Sequence, residues 1–380
     1  MKKIAIIGAS YLQEPLIQKA KSRGIETHVF AWKADDVGEK SADYFYPISI
    51  VEKESILEKC QQIGIDGICS ISSDLAVITV NYVADKMGLV GNSPESTLLS
   101  TNKRFMRECF YKNGDPSPKS ITISSEDETD KIDLEMPVIV KPLDRSGSRG
   151  ITKVCKKEEL CDAVRDALEV GFEKSVIIEE YVSGQEYSVE YISWNGEHTF
   201  LAITQKYTTG SPNFIETAHL EPAMLDDSVL AEVKNVVEHA LDSLKIRNGA
   251  SHTEIRINDS GAIKLIEIGG RMGGDNIGSS LVELTTGYDY VGAVIDIALG
   301  NKPGYSVTKN ACAGVRFILS PDDIAVLSTI KREHPEILVE EDVHDITSEK
   351  VTDSAKRFGY YTIASEDLND IKKYMPINGI

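Results

Sequence analysis

TEIRINDSGAIKLIEI, residues 253–268, is the stretch of sequence that decides the fold. Apolar and polar residues alternate on both sides of Asn258–Gly261, which has the composition of a turn. Two short alternating runs separated by such a turn predict a β-hairpin. Each run carries one glutamate, Glu254 in the first and Glu267 in the second. The hairpin therefore brings two carboxylates into one local structure.

The register of this hairpin decides whether the two carboxylates meet. If Ile257 pairs with Lys264, Glu254 lies directly opposite Glu267, with the Cβ atoms about 5 Å apart. Like charges held opposite each other destabilise a sheet, and a divalent cation would neutralise them. Mg²⁺ needs only one or two protein carboxylates, because phosphate oxygens and water complete its octahedron. The pattern predicts a metal–nucleotide site at Glu254 and Glu267; the alternative is a pair whose side chains reach out to solvent.

A glycine-rich segment, Gly269–Asp275, follows the hairpin and carries one guanidinium, that of Arg271. The planar fork of an arginine fits the oxygens of a phosphoryl or acyl phosphate group and stabilises charge that develops there. Arg271 is therefore a candidate catalytic residue. The alternative is a structural salt bridge.

Two segments upstream of the hairpin are suited to phosphate. The apolar strand 137–142 ends in Lys141, and Ser146, Gly147 and Ser148 lie in the flexible loop that follows. Small residues let backbone N–H groups approach anionic oxygens, while the lysine supplies a point charge. The P-loop pattern is absent, and a mobile surface turn is the alternative interpretation.

A break between two strands at Ser183-Gly184 has carboxylates on both sides. Such a connection can present backbone N–H and C=O groups to an adenine edge, and a carboxylate to ribose hydroxyls. An ordinary hairpin with exposed glutamates is the alternative. Candidates for nucleotide contact here are Glu179, Glu180, Tyr181, Val182 and Glu186.

Composition narrows the functional classes. The 380 residues are 41% hydrophobic and 27% charged, which is typical of a globular protein of two or three domains. A net charge of -19 disfavours nucleic acid and anionic membranes as partners. The six cysteines show no disulfide or zinc spacing, which favours reduced thiols and a cytoplasmic location.

The N-terminal residues alternate short apolar runs with helical stretches up to about residue 94, which predicts βαβ units and a parallel sheet. Gly8-Ala9-Ser10 follows the first strand, but the next glycine is Gly24, so the dinucleotide fingerprint is absent. The pattern favours a substrate-side lobe of a larger enzyme over a nicotinamide site.

Taken in order, these motifs resemble the ATP-grasp superfamily over roughly residues 1–300. The resemblance implies an α/β and α+β protein: a Rossmann-like parallel-sheet domain (1–95), an ATP-grasp domain of two α+β lobes (96–303, with the lid lobe at about 120–182) and a small α+β subdomain (304–380). It also implies ATP and Mg²⁺ or Mn²⁺ as cofactors. Lys103 and Lys141 would contact the phosphates, the Ser146–Ser148 loop would close over them, and Glu186 would hold ribose.

Within the superfamily, the chain resembles the L-amino-acid ligases (bacilysin-synthetase-like) of the biotin carboxylase and carbamoyl-phosphate synthase group. The pattern Glu-x-x-His-x-x-Pro beginning at Glu216 carries this resemblance. It implies that Glu216 pairs with an α-amino group and His219 with the reacting carboxylate. Many members have Glu-x-Asn at the second metal carboxylate, whereas this chain has Gly269, which puts a second metal ion in doubt.

The activity implied is an ATP-dependent carboxylate–amine ligase that joins two small molecules through an acyl phosphate. Alternatives are a carboxylase-type or carbamoyl-phosphate synthase-like enzyme acting on bicarbonate or a purine precursor, and a non-catalytic nucleotide-binding protein. Relatives often dimerise, so the resemblance is compatible with a homodimer.

Overall fold

The computed structural model describes residues 1–144, 150–211, 214–347 and 350–377. Strands in these ranges are β1 (Lys3–Ile7), β2 (Glu26–Phe30), β3 (Tyr44–Tyr46), β4 (Gly67–Cys69), β5 (Ser120–Ile123), β6 (Val138–Pro142), β7 (Thr152–Val154), β8 (Val176–Glu180), β9 (Gln185–Trp194), β10 (Glu197–Thr208), β11 (Glu216–Glu221), β12 (Gly249–Ile257), β13 (Ile263–Gly269), β14 (Cys312–Phe317), β15 (Leu338–Val343) and β16 (Gly359–Ser365). Helices are α1 (Glu14–Ser22), α2 (Val37–Ser41), α3 (Lys53–Ile63), α4 (Asp74–Met87), α5 (Pro94–Thr101), α6 (Lys103–Asn113), α7 (Leu160–Val170), α8 (Asp227–Ser243), α9 (Val282–Thr286), α10 (Tyr290–Ala298), α11 (Pro321–Glu333) and α12 (Leu368–Lys372). None of the helices in these ranges is long and apolar enough to cross a bilayer.

The N-terminal strands form a parallel sheet in the order β3-β2-β1-β4. Ile4, Ile6 and Ile7 of β1 are fully buried, as expected for a central strand of a parallel sheet. The strand order reverses between β1 and β4, and open α/β sheets bind ligands at the carboxyl ends of the strands that flank such a reversal. This confirms the predicted parallel sheet. The loops after β1 and β4 are therefore candidates for ligand binding.

A second, antiparallel sheet has the order β5-β8-β6-β7. α7 buries Leu160, Val164 and Ala167 against its strands, because these side chains recur at helical spacing on one face. The sheet and this helix form an α+β unit, and its assignment as the lid lobe at about residues 120–182 stays a prediction.

The third sheet is eight-stranded in the described part of the chain, in the order β13-β12-β9-β10-β11-β14-β16-β15. The strands after residue 304 extend it directly: β14 pairs with β11, and β16 with β14. We propose domain divisions near residues 95 and 303, with the C-terminal subdomain sharing this central sheet.

The hairpin of β12 and β13 has the predicted glutamate pair but not the predicted register. Glu254 lies opposite Glu267, whereas Ile257 pairs with Ile263 rather than with Lys264. A shift in register beside Glu254 accounts for the one-residue difference. An irregularity of this kind inserts an extra residue into one strand. The juxtaposition of the carboxylates is confirmed, and the uniform register assumed for it is wrong.

The connection at Ser183-Gly184 is not a hairpin, which corrects that alternative interpretation. β8 belongs to the second sheet and β9 to the third, so the chain passes from one lobe to the other at this point. Gly184 has φ +111°, and a Cβ there would lie 2.2 Å from the Ile257 carbonyl oxygen. Glycine is required at this crossing for both reasons.

Replacing Gly184 by alanine should lower the free energy of unfolding by about 3 kcal/mol or more, because left-handed strain and overpacking add. Gly88→Ala is the matched control: Gly88 has φ +66°, and a Cβ added there would meet no atom within 4 Å. It should cost only about 1–2 kcal/mol. Urea denaturation of both variants measures the difference, and equal losses would contradict the close approach at Gly184.

Candidate active site

The second and third sheets face each other across a cleft that gathers most of the predicted site residues. Members of this set that line the cleft are Lys103, Lys141, Glu179, Glu180, Tyr181, Val182, Glu186, Glu216, Glu254, Glu267 and Arg271. The predicted loop residues Ser146, Gly147 and Ser148 lie outside the described residues. We call this the inter-lobe cleft.

A larger cavity of ≈ 1010 Å³ adjoins the inter-lobe cleft and lies against the loops after β1 and β4. We call it the outer cavity. His219 lines the outer cavity and not the inter-lobe cleft. The two spaces share one wall, formed by Asp74, Lys206, Glu216, His252, Glu254 and Arg271. The inter-lobe cleft and the outer cavity therefore adjoin at these residues.

Lysines neutralise the paired glutamates. Lys206 Nζ lies 2.6 Å from Glu254 Oε1, and Lys103 Nζ lies 3.0 Å from Glu267 Oε1. Burial opposes ionisation of Glu254, but Lys206 and His252 outweigh it and hold the pKa of this carboxyl well below its usual range. Glu254 thus stays ionised.

Lys206 is a central residue that sequence reasoning missed. Its ammonium also lies 3.0 Å from Glu186 Oε1 and 3.4 Å from Glu216 Oε1, and its side chain is only 3% exposed. Burial opposes the charge, but Glu254, Glu186 and Glu216 raise the pKa of Lys206 well above its usual value. The local sequence carries little signal, because Lys206 follows the polar residues Thr204 and Gln205 in β10.

Glu179 pairs with Lys141, the lysine at the end of β6 that is predicted to contact phosphates. Its buried carboxylate accepts from Arg107 Nε at 2.7 Å and from Lys141 Nζ at 2.7 Å. Burial works against ionisation, but Arg107 and Lys141 together lower the pKa of Glu179 to about 2. Since two cations already fill this carboxylate, its geometry suits it to orient Lys141.

In the predicted nucleotide segment Glu180–Val182, one backbone N–H group makes no hydrogen bond to another described residue. The N–H groups of Glu180 and Tyr181 already donate to Lys119 and Pro137 carbonyl oxygens. The Val182 N–H makes no hydrogen bond to another described residue, while its carbonyl accepts from Arg256 Nη1 at 2.9 Å. Among the N–H groups of Glu180, Tyr181 and Val182, the one that remains for a bound ligand is therefore that of Val182.

Arg256 also holds the predicted ribose ligand. Its Nη2 lies 2.9 Å from Glu186 Oε2, while the other oxygen of Glu186 faces Lys206. Two cations thus fix the position of the Glu186 carboxylate at the edge of the inter-lobe cleft. Arg256 is a second site residue that the sequence did not single out.

Arg271 does form a salt bridge, with Asp74 at the start of α4. Nε lies 2.8 Å from Oδ1 and Nη2 lies 3.0 Å from Oδ2, a bidentate geometry that fixes the plane of the guanidinium. A Cβ at Gly269 would lie 2.7 Å from Asp74 Oδ1. A side chain at position 269 would therefore crowd the Asp74–Arg271 pair.

Glu216 and His219 lie together at the outer cavity. Glu216 Oε2 accepts from the Ser354 hydroxyl at 2.8 Å and from Arg357 Nη2 at 3.1 Å. Burial opposes its charge, but Lys206 and Arg357 lower the pKa of Glu216 to about 2. Burial lowers the pKa of His219 to about 4, so its ring is neutral at physiological pH. The ring packs edge-on against Phe317 at 5.3 Å.

A further buried network supports the shared wall. His252 Nδ1 hydrogen-bonds Glu190 Oε1, and the other oxygen of Glu190 accepts from the Gly273 N–H at 3.0 Å. His252 Nε2 faces Glu254 at 3.7 Å. The network connects the loop that carries Arg271 to the strand that carries Glu254, and neither Glu190 nor His252 was predicted.

Comparison with known proteins identifies a domain family and the fold. Residues 134–279 match the ATP-grasp domain family. The chain is similar to the L-amino acid ligase structure from Bacillus licheniformis, with a TM-score of 0.83, 20% identity and coverage of 98% of this chain and 96% of that one. An ADP complex of N5-carboxyaminoimidazole synthetase from Staphylococcus aureus gives a TM-score of 0.78 and 19% identity over 98% and 95% of the two chains. The chain therefore carries an ATP-grasp domain and has the ATP-grasp fold.

The chain is also similar in sequence to alanine–anticapsin ligase of Bacillus subtilis (strain 168). It is 27% identical over 248 residues, which cover 59% of this chain and 52% of that protein. The chain thus spans about half the length of this relative. The predicted ATP-grasp domain and fold are confirmed, while the roles of individual site residues stay predictions.

Lys206→Met should destabilise the ligand-free protein by about 3 kcal/mol, because the half-buried Glu186, Glu216 and Glu254 then lose the buried cation that they share. Chemical denaturation measures this loss. Lys302→Met is the control: it removes an exposed pair with Glu197 and should change stability by less than about 0.5 kcal/mol.

Adding Glu254→Gln to Lys206→Met should restore part of the loss, since it removes one of the uncompensated charges. A Lys206→Met variant as stable as Lys302→Met would show that the lysine does not neutralise this wall.

Proposed function

We propose that the protein is an ATP-dependent carboxylate–amine ligase that forms an amide or peptide bond through an acyl phosphate, releasing ADP and phosphate, with an amino acid as one substrate. The observation that carries this proposal is the wall shared by the inter-lobe cleft and the outer cavity, where Glu254, Lys206 and Arg271 face both spaces. A phosphoryl donor on one side and a carboxylate on the other would meet there.

The inter-lobe cleft suits ATP. Lys103 and Lys141 supply positive charge for the phosphates, the Val182 N–H can donate to an adenine ring nitrogen, and Glu186 can accept from ribose hydroxyls. The structural neighbour from Staphylococcus aureus was solved with ADP, which supports a nucleotide in the equivalent fold. The predicted loop Ser146–Ser148 would add backbone donors to the phosphates.

Glu254 and Glu267 fit one divalent cation, Mg²⁺ or Mn²⁺. Two opposed carboxylates match the small number that Mg²⁺ takes from a protein when phosphates and water supply its other ligands. Gly269 offers no side-chain ligand, and the Asp74–Arg271 pair fills the space that such a ligand would need. When bound, the ion would neutralise phosphate oxygens, while Lys103 and Lys206 could turn from the glutamates to the phosphates.

The residues of the shared wall would bring the reactants together. A substrate carboxylate oxygen attacks the γ-phosphorus of ATP and ADP leaves, after which an amine attacks the acyl carbon, loses a proton and displaces phosphate. Arg271, held in one plane by Asp74, would stabilise the charge on the acyl phosphate. Glu216 would bind an α-ammonium group, and neutral His219 would contact the reacting carboxylate. Positioning and charge neutralisation would do most of the catalysis.

Glu267→Gln should reduce substrate-dependent ADP release by at least about a thousandfold, since it removes a metal carboxylate, a loss of the size seen when a transition-state electrostatic group is removed. The assay should cover pairs of amino acids, bicarbonate and purine intermediates, with mass spectrometry of products. Exposed Glu197→Gln is the control and should keep wild-type turnover.

Full ADP release by Glu267→Gln would show that the metal assignment is wrong. ADP release with bicarbonate or a purine intermediate, and none with amino acids, would favour the carboxylase-type alternative. Tight ATP binding with no substrate-dependent ADP release would indicate a non-catalytic nucleotide-binding protein.

A further inference from the structure

The outer cavity has more room than the reacting groups of an amino acid require. Its volume of ≈ 1010 Å³ is at the upper end of the range for pockets that enclose a small-molecule ligand. The residues that line the outer cavity and not the inter-lobe cleft include Trp32, Asp36, Asp342 and Asp353. We call these four residues the distal lining.

The carboxylates of the distal lining have no lysine or arginine beside them in the described part of the chain. Asp342 lies 3.6 Å from His344 Nε2, and Asp353 accepts from the Ala355 N–H at 3.0 Å. By contrast, every carboxylate of the shared wall pairs with a lysine or an arginine. The uncompensated charge of the outer cavity is therefore negative, and a cavity lined in this way raises the local concentration of cations.

Trp32 adds an aromatic surface to these carboxylates. It is 72% exposed, and Val37, which also lines the outer cavity, is 42% exposed. Indole is the aromatic ring that attracts cations most strongly. An indole and several carboxylates on one cavity are complementary to a cation on an apolar stem, whereas the carboxylates would repel an anionic group.

Tyr11 lies close to charged groups of both parts of the cavity. Burial, together with the carboxylate of Asp275, raises the pKa of Tyr11 to about 12, and Asp342 of the distal lining acts in the same direction. Asp275 in turn pairs with Arg357, which also pairs with Glu216 of the shared wall. The distal lining and the shared wall thus belong to one connected set of charges.

A buried group without a partner indicates that the outer cavity holds a ligand. His219 is 1% exposed, and its Nδ1 makes no hydrogen bond to a described residue. Buried polar groups are rarely left unpaired, so a bound molecule is expected to complete this one. In the proposed function, Glu216 and His219 hold the α-ammonium and the reacting carboxylate of the donor. The side chain of the donor is then the part that remains for the rest of the cavity.

We propose that the carboxylate donor is an amino acid with a cationic side chain, of the lysine, ornithine or arginine type, whose charged end binds at the distal lining. This inference rests on the proposed ligase activity and adds the class of its donor. The apolar stem of such a side chain would pack on Trp32, and its charge would be neutralised by Asp36, Asp342 and Asp353.

Pairs of donors that differ in charge but little in shape test the proposal. The probes are L-arginine against L-citrulline and L-lysine against L-norleucine, with hydroxylamine as the common amine, so that only the donor changes. Hydroxamate formation and ADP release are measured together. Wild-type enzyme should use the better cationic donor with a kcat/KM at least about tenfold above that of its neutral partner, the effect of one charge-assisted contact.

The double variant Asp36→Asn/Asp342→Asn should lower this ratio at least about threefold. Asparagine keeps the shape of both side chains, and at Asp36 it is an equally good helix N-cap for α2. The matched control is Asp35→Asn/Asp345→Asn, which removes two charges from exposed residues of the same segments that do not line the outer cavity. It should keep the ratio within about twofold of wild type.

Equal use of cationic and neutral donors by wild-type enzyme would overturn the proposal without any variant. So would an unchanged ratio in Asp36→Asn/Asp342→Asn, or an equal fall in the control, since the loss would then come from net charge and not from the distal lining. If no donor of either kind gave hydroxamate or ADP, with hydroxylamine or with amino acids as the amine, the ligase activity itself would be wrong.

Discussion

Neutralisation of half-buried carboxylates is the constraint on which the site depends. Glu186, Glu216, Glu254 and Glu267 all line the inter-lobe cleft, and Glu216 and Glu254 also line the outer cavity. Lys206 compensates three of these side chains and Lys103 the fourth. An uncompensated buried charge costs several kcal/mol, so these lysines stabilise the ligand-free cleft. The same ammonium groups would then be available to incoming phosphates, which links stability to binding.

The site is assembled from parts of the chain that lie far apart in sequence. Asp74 reaches Arg271 from the N-terminal parallel sheet, and Arg357 reaches Glu216 from the C-terminal subdomain. Each contact is an ion pair across a boundary between substructures, so movement of either substructure would alter the shared wall. Charged residues from both ends of the chain thus fix the positions of the candidate site residues on and beside the central sheet.

Local pattern was enough to predict the parallel sheet and the opposed glutamates, because turn composition and alternation are properties of neighbouring residues. The irregularity beside Glu254 could not be predicted, and it changed the register without separating the pair. The buried ion pairs of Lys206 could not be predicted, because its partners Glu186, Glu216 and Glu254 lie on other strands, distant in sequence. Asp74 and Arg357 gave no signal at all, since their partners are distant in sequence and only the packed fold brings them together.

The central claim is that a substrate carboxylate is phosphorylated by ATP at the shared wall. Transfer of ¹⁸O from a carboxylate-labelled amino-acid donor tests it most directly, with mass spectrometry of the released phosphate and nucleotide. The account predicts one labelled oxygen in inorganic phosphate and none in ADP, because the acyl phosphate keeps a donor oxygen when the amine displaces it. Unlabelled phosphate, or label in AMP, would contradict it.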